Sequence, residues 1–136
     1  MSLLVRDYLL EQSIIFHPQQ SLAQVVELLV KNQQIGAPVC DDQSHLLGWV
    51  SEQDCLSKIL KDAYHCESIS LVDDVMRTDV LTVEPTMSVI ELAQMMCDHK
   101  PKMYPVVENG QLIGMITRRE VLHAMSDQLA SCFVHK

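Results

Sequence analysis

Apolar and polar positions run along this chain in two successive blocks that follow the same order. Residues 1–12 read as a short helical lead-in. Ile14-Ile15-Phe16 is a brief apolar strand that stops at Pro18, which has no N–H to continue a ladder. Leu22, Val25, Val26 and Leu29 then recur at i, i+3, i+4 and i+7, the spacing of one helical face. Ser21 opens that helix, with Gln24 in the capping-box position. Ile35 to Cys40 and Leu46 to Val50 read as the strands of a hairpin around Asp41-Asp42-Gln43-Ser44-His45. Pro38 marks the first of these strands as irregular or at an edge. Ser51 caps a second helix whose apolar face carries Cys55, Leu56, Ile59 and Leu60. Residues 63–71 show no period and read as a connector.

The pattern then restarts. Val72-Asp73-Asp74 echoes Val5-Arg6-Asp7, and Val80 to Val83 is a strand stopped by Pro85. Ser88, with Glu91 in the box position, caps a helix whose Val89, Leu92, Ala93 and Met96 repeat the earlier face at a shift of 67. Pro105-Val106 repeats Pro38-Val39. Glu108-Asn109-Gly110-Gln111 is an Asn-Gly hairpin turn one residue shorter than its counterpart, so the shift falls to 66. Val121, Leu122 and Met125 then copy Cys55, Leu56 and Ile59. The two blocks span 1–62 and 72–136. Neither is long enough to bury its sheet well alone, which predicts that they pack together about a pseudo-twofold axis. A crevice between them, a usual place for a small ligand, would hold both strand-to-helix corners.

Those corners are the strongest local signal. Gly48-Trp49-Val50-Ser51-Glu52-Gln53-Asp54 and Gly114-Met115-Ile116-Thr117-Arg118-Arg119-Glu120 each end an apolar strand on a hydroxyl residue, with an acid three residues on. A helix start with free N–H groups and a hydroxyl suits an anion. The same residues also serve as ordinary helix caps, worth about 1 kcal/mol each, and capping alone is the competing explanation.

Composition narrows the function. With 48% apolar residues the 136-residue chain can build a normal core. No stretch approaches a membrane span, and no basic, apolar and small-residue leader opens the chain, so a cytoplasmic location is expected. A net charge of −8 argues against a nucleic-acid surface. Five scattered Cys, without CxxC or HExxH, argue for inert thiols and against a metal site. No Ser–His–Asp order, carboxylate dyad or Gly-rich phosphate loop supports catalysis. Lys100, Lys102, Arg118 and Arg119, beside His99, form one basic group on an acidic chain. It suits a small anion, or is a solvated face. Trp49 and the Met residues read as core or dimer packing, with Met95-Met96 on a helix able to supply an interface.

The ordered, doubled set of Pro18 and Pro85, Ala37-Pro38-Val39 and Tyr104-Pro105-Val106, and the two corners resembles a tandem pair of CBS domains. This is the Bateman module, named after cystathionine β-synthase. The resemblance runs from about Val5 to Met125 and implies an α+β fold. In it, two pseudo-twofold-related motifs each form a small three-stranded sheet with two helices, and the sheets pack together. It implies a regulatory module without catalysis, commonly a homodimer, that senses an adenosyl-type ligand: AMP, ADP, ATP, NAD or S-adenosylmethionine. An unidentified protein partner would take the output. The alternative is a constitutive homodimerisation or interaction module with no ligand.

Carried onto this chain, the resemblance points to Ser51 and Asp54 at one corner and Thr117 and Glu120 at the other. The acid would take the ribose hydroxyls. Adenine would lie near Ala37-Pro38 or Tyr104-Pro105, and Ile14 and Val80-Leu81-Thr82 would supply backbone contacts. Glu120 departs from the family's usual Asp, which weakens the ribose inference at that corner. Lys102, Arg118 and Arg119 beside Thr117 suggest that phosphates orient there. Glu52 and Asp54 make the first corner locally acidic. Asp54 would serve a nucleoside in the other cleft, or reach across to the same one.

Overall fold

The computed structural model describes residues 3–11, 14–65, 70–98 and 101–134. His99 and Lys100 of the basic group, and residues 66–69 of the expected connector, lie outside them. In order, the elements are a 3-10 turn Val5–Asp7, α1 Leu22–Lys31, β1 Gly36–Cys40, β2 Leu46–Ser51, α2 Glu52–His65, α3 Val72–Val75, α4 Val89–Cys97, β3 Met103–Glu108, β4 Gln111–Thr117 and α5 Arg118–Val134. The fold is α+β. Residues 63–65 of the expected connector continue α2.

Helix starts follow their sequence signals. Ser21 Oγ accepts from the Gln24 N–H at 3.2 Å, and Ser88 Oγ accepts from the Ile90 N–H at 3.1 Å. Each satisfies a donor that the first turn would otherwise leave unpaired. Both hairpins are antiparallel, with Pro38 opposite Trp49 and Pro105 opposite Met115. Asn109 and Gly110 take φ of 55° and 82°, as the tight two-residue turn requires.

The expected first strand of each block shrinks to a single residue. Phe16 pairs in parallel with Val39, and Val83 with Val106. Residues 80–82 carry no strand, and the ladder contact of this segment is made by Val83, whose N–H donates to Pro105 O at 3.1 Å and whose carbonyl accepts from Val107 N–H at 2.9 Å. Pro18 and Pro85 follow two residues after these bridges and leave the ladder no length to grow. Pro38 costs the hairpin nothing. Its partner Trp49 turns its N–H to the Arg77 carbonyl at 2.9 Å, away from β1.

Two compact units result, Ser13–Val80, and Met1–Gln12 with Leu81–Lys136. They cut across the repeat, because each contains the short lead-in of the other block. In one unit Val72 N–H donates to Gln20 O and Asp73 N–H to Pro18 O; in the other Val5 N–H donates to Met87 O and Arg6 N–H to Pro85 O, all at 2.9 Å. The exposed edge of β2 is closed at Trp49 by Arg77, and that of β4 at Met115 by Leu10. An edge residue with unmet N–H and C=O groups needs such a partner.

The cores correspond position by position. One holds Phe16, Leu22, Val25, Ala37, Val39, Val50, Cys55 and Val72; the other holds Val83, Val89, Leu92, Tyr104, Val106, Ile116, Val121 and Val5. The apolar face read for α2 is only partly used. Cys55 is buried, whereas Leu56 and Leu60 are 59% and 63% exposed. Met95 and Met96 are half-buried against the core of their own unit.

Candidate functional site

Each corner passes from strand to helix without a loop: β2 ends at Ser51 and α2 begins at Glu52, β4 ends at Thr117 and α5 begins at Arg118. The glycine before each corner has a steric cause. A Cβ on Gly48 would sit 2.4 Å from the Arg77 carbonyl oxygen, and one on Gly114 would sit 2.7 Å from that of Leu10. Only glycine lets the crossing arm close the sheet edge at that point.

At the first corner Ser51 Oγ donates to Asp54 Oδ2 at 2.8 Å, and Asp54 N–H donates back to Ser51 Oγ at 3.1 Å. At the second, Thr117 Oγ1 and Thr117 N–H both donate to Glu120 Oε1, at 2.6 and 2.8 Å. Arg119 N–H donates to Thr117 Oγ1 at 3.2 Å. Both corners are therefore reciprocal caps. Glu52 N–H is taken by Ile35 O and Arg118 N–H by Lys102 O, each at 2.8 Å. So two first-turn donors at each corner already have protein acceptors. This narrows the expectation that free N–H groups alone hold an anion. Residues of unlike type act alike here because the extra methylene of Glu120 still lets its carboxylate reach Thr117.

The acids differ in what else they meet. Glu120 is buried, at 7% exposure. Asp54 is gripped by Arg77, with Nε 3.1 Å from Oδ2 and Nη2 3.1 Å from Oδ1. Burial alone would raise the Asp54 pKa; the Arg77 hydrogen bonds and charge, with Ser51, outweigh it and hold the carboxyl below its usual value. Arg77 escaped the sequence reading. Its counterpart under the repeat, Leu10, is apolar, so the repeat drew no attention to it. The only signal was the shift of 67 between two arm residues that cross the same strand position.

The remaining expected residues divide between core and surface. Ala37 and Tyr104 are fully buried in their cores, and Ile14 is buried beside Phe16. Tyr104 Oη has no partner among the described residues, and burial pushes the phenol pKa up. Strand alternation sends Pro38 and Pro105, also buried, to the face opposite Ala37 and Tyr104. The Ala37 and Tyr104 side chains thus pack into their cores, while Pro38 and Pro105 lie on the other face of their strands. Lys102, Arg118 and Arg119 are exposed, and the Arg118–Lys102 backbone bond holds two of them together. Leu81 and Thr82 are exposed and Val80 is half-buried.

Between α1 and α2 lies a separate groove of about 610 Å³, lined by Val26, Leu29, Ile35, Cys55, Leu56 and Ile59 among others. Among the described residues no group of three or more His, Cys, Asp or Glu is placed to hold a metal ion, and no helix is long and apolar enough to cross a membrane.

Comparison with known proteins identifies the class. The model of the CBS domain family matches residues 5–61 and 72–127, and the chain belongs to that family. Among solved structures, CBSX2 in complex with AMP is 29% identical with a TM-score of 0.78, over 92% of this chain and 97% of that one; CBSX2 is an Arabidopsis thaliana protein. A putative acetoin utilization protein (AcuB) from Vibrio cholerae is 26% identical with a TM-score of 0.81, over 96% and 95%. An uncharacterized protein of Methanocaldococcus jannaschii, MJ1426, is 27% identical over 90% of this chain and 91% of its own length. The chain spans only 44% of a second relative from that organism.

Proposed function

We propose that this chain is a ligand-sensing regulatory module, without catalysis of its own, that binds an adenine nucleotide or related adenosyl compound at its strand-to-helix corners. The observation that carries this reading is the duplicated hydroxyl–acid corner, with a carboxylate one turn into the helix, in a family where the similar CBSX2 is seen with AMP. Asp54 offers an ionised acceptor for ribose hydroxyls. At the second corner, taken by itself, Thr117 with Lys102, Arg118 and Arg119 nearby suits the phosphate of a ligand bound there. AMP, ADP, ATP, NAD and S-adenosylmethionine are the candidate ligands. Output passes to a protein partner or to a second copy of the chain.

Titration of AMP into wild type, Thr117→Val, Arg119→Ala and Asp54→Ala tests the placement. Loss of a charge-assisted contact weakens binding by about 1.5–3 kcal/mol, roughly ten- to a hundred-fold. Equal affinity for wild type and the Thr117 and Arg119 variants contradicts phosphate binding at that corner.

A second reading, a homodimerising module with no ligand, is favoured by the exposed Leu56 and Leu60 on α2. Light scattering of wild type and Leu56→Asp separates the two readings when run with and without AMP. A dimer lost in the variant, with no AMP binding in either protein, favours the second.

A further inference from the structure

The carboxylate that a ribose would need at the first corner is already occupied. Oδ2 of Asp54 accepts from the Ser51 hydroxyl and from Arg77 Nε, and Oδ1 accepts from Arg77 Nη2. A carboxylate offers about four acceptor sites on its two oxygens. With the Arg77 fork seated and Ser51 bound, two ribose O–H donors cannot both be accommodated. Something must leave, and the geometry says which. Asp54 is fixed in the corner by Ser51 and its side chain is 17% exposed, whereas that of Arg77 is 61% exposed. The Arg77 backbone is pinned separately, donating to Trp49 O at 2.8 Å and accepting from Trp49 N–H at 2.9 Å. The guanidinium can therefore turn away while the arm stays in place.

We propose that Arg77 is a specificity-determining residue that makes the first corner select anionic nucleotides over neutral nucleosides. This rests on the nucleoside reading of Asp54 given above. Binding exchanges one set of hydrogen bonds for another. The ribose hydroxyls take the Asp54 oxygens, and the displaced guanidinium takes a phosphate, which offers the same two-oxygen edge as a carboxylate. A neutral nucleoside breaks the Asp54–Arg77 pair and returns nothing to the cation. A nucleotide restores a charge-assisted pair. The first corner, acidic by its own Glu52 and Asp54, thus holds a cation brought in by the arm.

The second corner lacks this device. Leu10 crosses Met115 there with the same two backbone bonds, at 2.7 and 2.8 Å, and brings no charge. One arm position, Arg77 against Leu10, therefore separates the two corners in what they select.

The test is calorimetric titration of AMP and of adenosine into wild type, Arg77→Gln and Arg77→Lys, repeated in an Arg119→Ala background to weaken the second corner. Wild type prefers AMP. In Arg77→Gln the AMP affinity falls about ten-fold or more while adenosine binds as well as before or better, so the preference collapses. Arg77→Lys keeps the charge without the fork and retains part of the preference. Wild type that binds neither compound overturns the nucleoside reading and this proposal together. An unchanged AMP-to-adenosine ratio in Arg77→Gln overturns the proposal alone. So does an equal loss of both ligands, which is what a purely structural role for Arg77 would give.

Discussion

Asp54 serves two ends with one carboxylate. It accepts from the Ser51 hydroxyl at the start of α2 and it holds Arg77. The sign of its pH effect follows from the depressed pKa. A carboxyl lower in the folded than in the unfolded chain stabilises the fold above the unfolded value, near 4 for Asp, and loses that contribution as pH falls through the folded value. The difference in stability between wild type and Asp54→Asn, from chemical denaturation, is therefore largest near neutral pH and shrinks below about pH 4. A difference that stays constant down to pH 3 means that the charge of Asp54 does not matter to the fold. Ser51, Asp54, Thr117 and Glu120 were legible in the sequence because a cap is local, set by a spacing of three. Arg77 was not, because it lies 23 residues from Asp54 and meets it only through a bridge to Trp49.

Among the elements, the hairpins and helix starts were readable because turn and capping chemistry is local. The outer strands were over-read: Ile14-Ile15-Phe16 and Val80 to Val83 look like strands, yet a one-residue bridge is all that precedes Pro18 and Pro85. The face of α2 was also over-read, since apolar spacing shows that a face exists and not what covers it. The paired cores show a compensation in size. Phe16 with Ala37 in one unit stands where Val83 with Tyr104 stands in the other, so a large and a small residue trade places. Ala37→Tyr alone therefore overpacks its unit and destabilises it by about 1–3 kcal/mol, and adding Phe16→Val recovers much of the loss. Thermal unfolding of the two variants checks this. A double variant no more stable than Ala37→Tyr shows that the two positions do not share their space.

For the whole molecule, the sequence divides at 1–62 and 72–136, while the compact units exchange their lead-ins. A repeat shows which segments are alike and is silent on which copy each arm docks against. The family, twice over, was nonetheless legible, because its signals sit inside each block. What that family membership means here depends on whether the corners are ligand sites or only caps. A ligand that binds the folded chain alone raises its apparent stability by mass action, by about 2.7 kcal/mol at a hundred times its dissociation constant. The decisive measurement is a thermal-shift series with AMP, ADP, ATP, NAD and S-adenosylmethionine. A saturable rise in Tm with at least one of them, smaller in Asp54→Ala or Thr117→Val, is the predicted result. No rise with any of the five at millimolar concentration contradicts the ligand-sensing account and leaves the corners as helix caps.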